Sequence, residues 1–171
     1  MPCKTKKDAF LSNQDNKQQF TNLLSGKFKA SNYTVIHAPD DADLIIVQTA
    51  VSISEERHVV VIGEDTDLLV LLCYHALLHN KNVYFKSEPK QSVQKIRIWD
   101  TKKTKKHLGE AICWLLPFIH AFSGCNTSRV FGLGKGAILK KVKSSAYLQD
   151  QARLFLKKSS KAQVVKAGEE F

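Results

Sequence analysis

The chain has 171 residues, with 26 Lys and Arg against 16 Asp and Glu, a formal net charge of +10. That length suits one domain of ordinary size, or one domain with a tail, and 43% apolar with 25% charged residues is a globular composition that excludes wholesale disorder. The apolar runs Leu68 to Cys73 and Ala111 to Phe122 fall short of the roughly 20 residues that span a bilayer, Met1 to Lys7 lacks an apolar signal-peptide core, and Cys3, Cys73, Cys113 and Cys125 form no Cys-x-x-Cys pair, so an intracellular, reduced protein with no membrane partner is expected.

Residues 4 to 26 predict a helix, with Phe10, Leu11, Phe20, Leu23 and Leu24 among polar residues and Gly26 as its stop. Tyr33 to His37 reads as a short β-branched strand. Pro39-Asp40 then opens a second helix, with Asp40 as cap and Asp43 in the first turn, where a carboxylate favours the helix dipole. The rival assignment there is a strand, because Leu44-Ile45-Ile46-Val47 is rich in β-formers. His58 to Ile62 is free of charge after its first residue, as in a strand buried on both faces. Gly63 to Asp67 forms the turn out of it, and Leu68 to His79 the next helix.

Further strands are expected at Asn82 to Lys86 and Lys95 to Trp99, joined by a polar loop. Asp100 caps a lysine-rich helix ending near Gly109, and Glu110 to Phe122 is an apolar helix with Pro117 as a candidate kink. A loop leads to Gly132-Leu133-Gly134-Lys135-Gly136 and a basic helix, residues 144 to 158 form a last amphipathic segment, and 159 to 171 are expected to be a disordered tail. Strands alternating with helices indicate an α/β fold with a mostly parallel sheet.

Charge is segregated along the chain. His37 to Asp67 holds eight acids and one base, a net of −7, whereas Lys81 to Phe171 holds 19 bases and six acids, a net of +13. Acids inside a basic protein suggest a metal ion beside a polyanion, the plain alternative being two solvated faces. Asp41-Ala42-Asp43 and Asp65-Thr66-Asp67 each follow an expected strand, and loops at strand ends are where α/β sheets gather function. Carboxylates crowded there repel unless a cation neutralises them, and hard oxygen donors suit Mg²⁺ or Mn²⁺. The alternative is that each pair only caps a helix.

Val60 to Leu69, a strand running into Gly63-Glu64-Asp65-Thr66-Asp67, resembles the second acidic motif of the flap-endonuclease/XPG branch of the PIN-like nucleases. Asp41-Ala42-Asp43 resembles the acid-Ala-acid motif one strand earlier. Leu108-Gly109, the helix to Phe122 and Gly124-Cys125-Asn126 resemble a Leu-Gly, helix, Gly-Cys-Asp series, and Gly132-Leu133-Gly134-Lys135 resembles the turn that opens a phosphate-gripping helix-hairpin-helix.

The resemblance implies a three-layer PIN-like domain over residues 31–128, behind an N-terminal helical segment, 1–30, and followed by a glycine-turn and basic helical extension, 129–158. It implies catalytic and metal-binding roles for Asp41, Asp43, Asp65 and Asp67, with Asn126 as a fifth ligand, and nucleic-acid contacts, DNA above all, at Gly132, Gly134, Lys135, Lys140 and Lys141. Two departures stand out. Asn126 replaces a metal-binding carboxylate, and residues 1 to 30 contain no apolar strand carrying Asp, so the family's N-terminal strand is missing.

The expected function is a nuclease-like domain that binds Mg²⁺ or Mn²⁺ and nucleic acid, with hydrolysis weak or lost. A non-catalytic nucleic-acid-binding module and an active structure-specific nuclease are the alternatives, while a phosphatase would need a first-strand nucleophilic Asp that the sequence lacks. The glycine turn is not a Walker loop, and His75 and His79 lack the Glu of a zinc hydrolase motif. Lys102-Lys103-Thr104-Lys105-Lys106 reads as a solvated helix face, with a nuclear-import run as the sharper alternative.

Overall fold

The helix expected over residues 4–26 is broken at Ser12 and Asn13, giving α1 (Lys7–Leu11) and α2 (Gln14–Ala30). The structure, a computed structural model, describes residues 6–39, 41–87, 96–124 and 134–171. It divides into two units, Met1–Asp40 and Asp41–Phe171.

In the first unit the Asn13 side chain accepts a hydrogen bond from the Asn16 amide at 3.1 Å, starting α2 afresh. Gly26 does not stop this helix, because an interior glycine costs only about 1 kcal/mol. It ends just before Asn32, whose φ of 61° supplies the left-handed turn. Tyr33 to His37 is not a strand. A strand needs a partner for its backbone groups, and none pairs with it among the described residues. Instead the segment is tied to α2 by the Phe28–Tyr33 ring contact and by a 3.0 Å hydrogen bond between His37 Nε2 and Ser25 Oγ.

The second unit begins with α3 (Asp43–Ile53), so the helix prevails over the strand alternative; Val47 and Ala50 are its buried positions. Then come β1 (Val59–Ile62), α4 (Thr66–His75), β2 (Val83–Ser87) and β3 (Arg97–Asp100). The architecture is α/β, but the sheet is small and mixed rather than mostly parallel. Its order is β1-β2-β3; β1 pairs parallel with β2, Val59 opposite Val83, and β2 antiparallel with β3, Phe85 opposite Trp99.

Because side chains alternate across a strand, one sheet face carries Val61, Val83 and Phe85 into a core with Val47, Leu68 and Leu72. The other face is uncovered: Val60 and Ile62 are 57% and 59% exposed and Ile98 63%. The expectation that β1 is buried on both faces is therefore corrected. At the end of β1, a Cβ on Gly63 would stand 2.7 Å from Leu68 Cδ1, so any larger residue there requires the Leu68 side chain to move.

Two polar nodes fasten the sheet to its helices. Asn80 Nδ2 donates to Ser54 Oγ at 3.2 Å beyond α3. The Thr101 hydroxyl donates to the Val83 carbonyl at 2.7 Å, at the start of α5 (Thr101–Leu108). Asp100 caps α5, accepting from the Lys103 amide at 2.9 Å. Burial pulls its carboxyl upward, but the Lys103 amide, the Asn82 side chain and the Lys103 charge outweigh this and hold it below the usual range. The lysine run is not simply a solvated face: Lys105 is buried and donates from Nζ to the Ala76 carbonyl at 2.6 Å, placing a cation at the C-terminal end of α4.

The helices α6 (Glu110–Ser123), α7 (Lys135–Ser144), α8 (Ala146–Phe155) and α9 (Lys161–Gly168) follow. The α6 helix continues through Pro117. Ile112, Leu115, Phe118 and Ile119 pack with Ile138, Val142 and Ala152 into a second core. The tail expected to be disordered is instead ordered as α9. Its start is a Ser160–Gln163 capping box, and beyond its end Phe171 places its ring centroid 5.1 Å from those of Phe118 and Phe122. No helix among the described residues is long and apolar enough to cross a membrane.

Candidate functional site

Each Asp-x-Asp pair folds back on itself in the same way. Asp65 Oδ1 accepts from the Asp67 amide at 3.1 Å and caps α4. Asp41 Oδ1 accepts from the Asp43 amide, also at 3.1 Å, at the start of α3. Such Asx turns are the short polar side chain's standard way of supplying a helix's first unsatisfied donors. The cap assigned to Asp40 lies outside the described residues.

The charges of the two pairs act on one another at Asp43, although the Asp41–Asp43 pair follows no strand. It is the packing of α3 against α4 that brings them together. Burial first, and then the negative charges of Asp41, Asp65 and Asp67, push the Asp43 carboxyl above the usual carboxylate range.

Asp67 has a partner that reading the sequence missed. His120, on α6, places Nε2 2.6 Å from Asp67 Oδ1, with its side chain only 11% exposed against 33% for Asp67. Toward an ionised carboxylate, which only accepts, the ring nitrogen is the donor. The available signal was a single histidine among the apolar residues from Ala111 to Phe122, but nothing local links positions 67 and 120.

Carboxylate oxygen is the right donor chemistry for Mg²⁺ or Mn²⁺, and part of that donor capacity is already engaged by the protein itself. Asp41 and Asp65 each spend an oxygen on a backbone amide, and Asp67 spends one on His120. Among the described residues no group of three or more His, Cys, Asp or Glu side chains is placed to hold a metal. Asn126 lies outside the described residues. The described thiols are poor nucleophiles: burial, then Cys113, pushes Cys73 up to about 12 despite Lys105, and burial likewise raises Cys113. Of the paired histidines, His75 is half-buried and drawn downward by burial and Lys105, while His79 is exposed.

The basic residues lie at the start of α7 and along it. Gly134 precedes α7 as its cap, while Gly132 lies outside the described residues. Lys135 and Lys140 are exposed. Lys140 and Lys143, four and seven residues after Gly136, line a shallow groove of about 450 Å³ with Leu139 and Ser144. Lys141 is directed elsewhere, donating from Nζ to the Phe171 carbonyl at 3.1 Å.

Comparison with protein-family models, curated proteins and solved structures finds no match for this chain.

Proposed function

We propose that the chain is a nuclease-like nucleic-acid-binding domain in which metal-dependent phosphodiester hydrolysis is weak or lost. The observation that carries this reading is the His120–Asp67 hydrogen bond at 2.6 Å. It supplies, from within the protein, a partner for the carboxylate that a metal would otherwise claim. The basic charge from Lys81 onward, a net of +13, supports a polyanionic partner held through its phosphates without reading of sequence. By the motifs it resembles, that partner is DNA.

The test combines binding and cleavage. Oligonucleotide affinity falls steeply between ~50 and ~200 mM salt, and Lys140→Glu with Lys143→Glu weakens it equally for all sequences. Affinity that is flat with salt overturns the binding reading. In Mn²⁺ the protein cuts branched DNA negligibly; robust cleavage abolished by Asp67→Ala overturns the loss of hydrolysis.

A second reading, a metal-dependent nuclease, is favoured by one observation, the electrostatic crowding of Asp43 by Asp41, Asp65 and Asp67. A cation would relieve that repulsion. An Mn²⁺ titration revealing a site that Asp65→Ala removes would put this reading first.

A further inference from the structure

Where α6 packs against α8, their side chains leave a cleft of about 290 Å³ lined by Ala111, Trp114, Arg153 and Lys157. It is neither the carboxylate cluster nor the α7 groove, and its chemistry differs from both. Trp114 is half-buried and packs against the second core, which holds the indole in place while leaving part of it to the cleft. Ala111, one turn earlier on α6, keeps the approach to the ring low. Across the cleft the Arg153 guanidinium is held by Asp150 three residues before it and remains 37% exposed. One of its five N–H groups serves that carboxylate, and the others remain for a ligand. Lys157 is exposed, with no hydrogen bond to the protein among the described residues. Asp150 is thus already engaged, and Glu110, beside Ala111, is the other acid nearby.

An anchored aromatic ring in one cleft with a guanidinium and an exposed ammonium is a combination that binds single-stranded nucleic acid, with a base stacked on the ring and the adjoining phosphates on the cations. We infer that the α6/α8 cleft is a single-strand subsite in which a nucleobase stacks on Trp114 and a neighbouring phosphate is held by Arg153 and Lys157. This rests on the nucleic-acid reading above and specifies which form of nucleic acid the domain holds. A purely acidic peptide satisfies the cations but has no planar group to stack, and the ring favours a ligand that has one.

The chain contains two tryptophans, so Trp99→Phe leaves Trp114 as the only indole fluorophore. In that full-length variant, a short oligothymidylate quenches Trp114 emission in step with binding measured by the anisotropy of a labelled oligonucleotide. Trp114→Ala lowers single-strand affinity roughly tenfold, the usual scale of one stacked base. Lys157→Gln, at an exposed position that leaves the fold intact, lowers affinity and reduces the salt slope by about one. Far-UV circular dichroism confirms that each variant is folded.

Oligonucleotide binding with unchanged Trp114 emission and an unaffected Lys157→Gln variant overturns the subsite and leaves the nucleic-acid reading standing. Absence of any oligonucleotide binding overturns both. Equal quenching by polyglutamate or inorganic polyphosphate shows a site for charge alone and overturns the stacking assignment.

Discussion

The second unit contains two cores that meet where α4 packs on α6, and they are closed by different means. On the sheet side, Val47, Val61, Leu68, Leu72 and Val83 make an aliphatic cluster with Phe85, and the opposite face of the sheet stays open to solvent. On the helical side, Phe118, Phe122, Phe155 and Phe171 stack around one another, with the Phe118 and Phe155 centroids 4.6 Å apart. A short sheet with helices on one face can bury only half its side chains, whereas the helices bury Phe118 at the centre of a cluster of partly buried rings. The His120–Asp67 contact crosses the seam between them, so the candidate site depends on both.

The largest effect that probes this contrast is Phe118→Ala, which removes the central ring and lowers unfolding free energy by about 3–5 kcal/mol. In a Trp114→Phe background, urea unfolding followed by Trp99, on the sheet side, shows the same midpoint shift if the seam couples the cores; an unchanged Trp99 transition would make them independent.

Next is Gly63→Ala, whose Cβ must displace Leu68 Cδ1 from 2.7 Å. Overpacking of this kind costs about 1–3 kcal/mol by denaturant titration. A smaller value would mean that the sheet core yields more readily than its burial suggests.

His120→Ala cuts the tie across the seam and costs about 1–2 kcal/mol, as expected for one charge-assisted hydrogen bond. A double-mutant cycle with Asp67→Ala isolates the coupling; a coupling of zero would leave the seam to apolar packing alone.

A smaller effect belongs to Asp43. Because its folded-state carboxyl is raised, its contribution to stability is fully present below the ordinary value of 3.8 and is lost as pH rises through the raised one. Asp43→Asn therefore raises the urea midpoint at pH 7, and the gain vanishes as the pH is lowered toward 3.8. A gain independent of pH would show that the crowded charges are not its source.

The smallest change is expected at the bare sheet face. Ile98→Lys stays within about 0.5 kcal/mol of the parent, as surface substitutions usually do; a larger loss would mean that this face is covered in solution.

How much of this was legible follows the range of the interactions. The charge-free run at Val59–Ile62, the cap of α4 at Asp65, the cap of α5 at Asp100 and the apolar spacing of α6 are signals within a few residues, and the elements form where those signals lie.

The sequence by itself determined which segments become helices and strands from α3 to α8, because caps, turns and periodicity act over a turn of helix or a strand's length. Only the tertiary structure decided the rest. Among the described residues, Tyr33 to His37 has no strand to pair with and Val60 and Ile62 stay exposed, while the tail is ordered with Ala167 buried and Phe171 packed on the second core. Lys105 found a carbonyl at Ala76, and Asp67 found His120 across 53 residues of chain. Hydrogen-bond partners and burial are set by groups far apart in sequence, and no local pattern encodes which of them will meet.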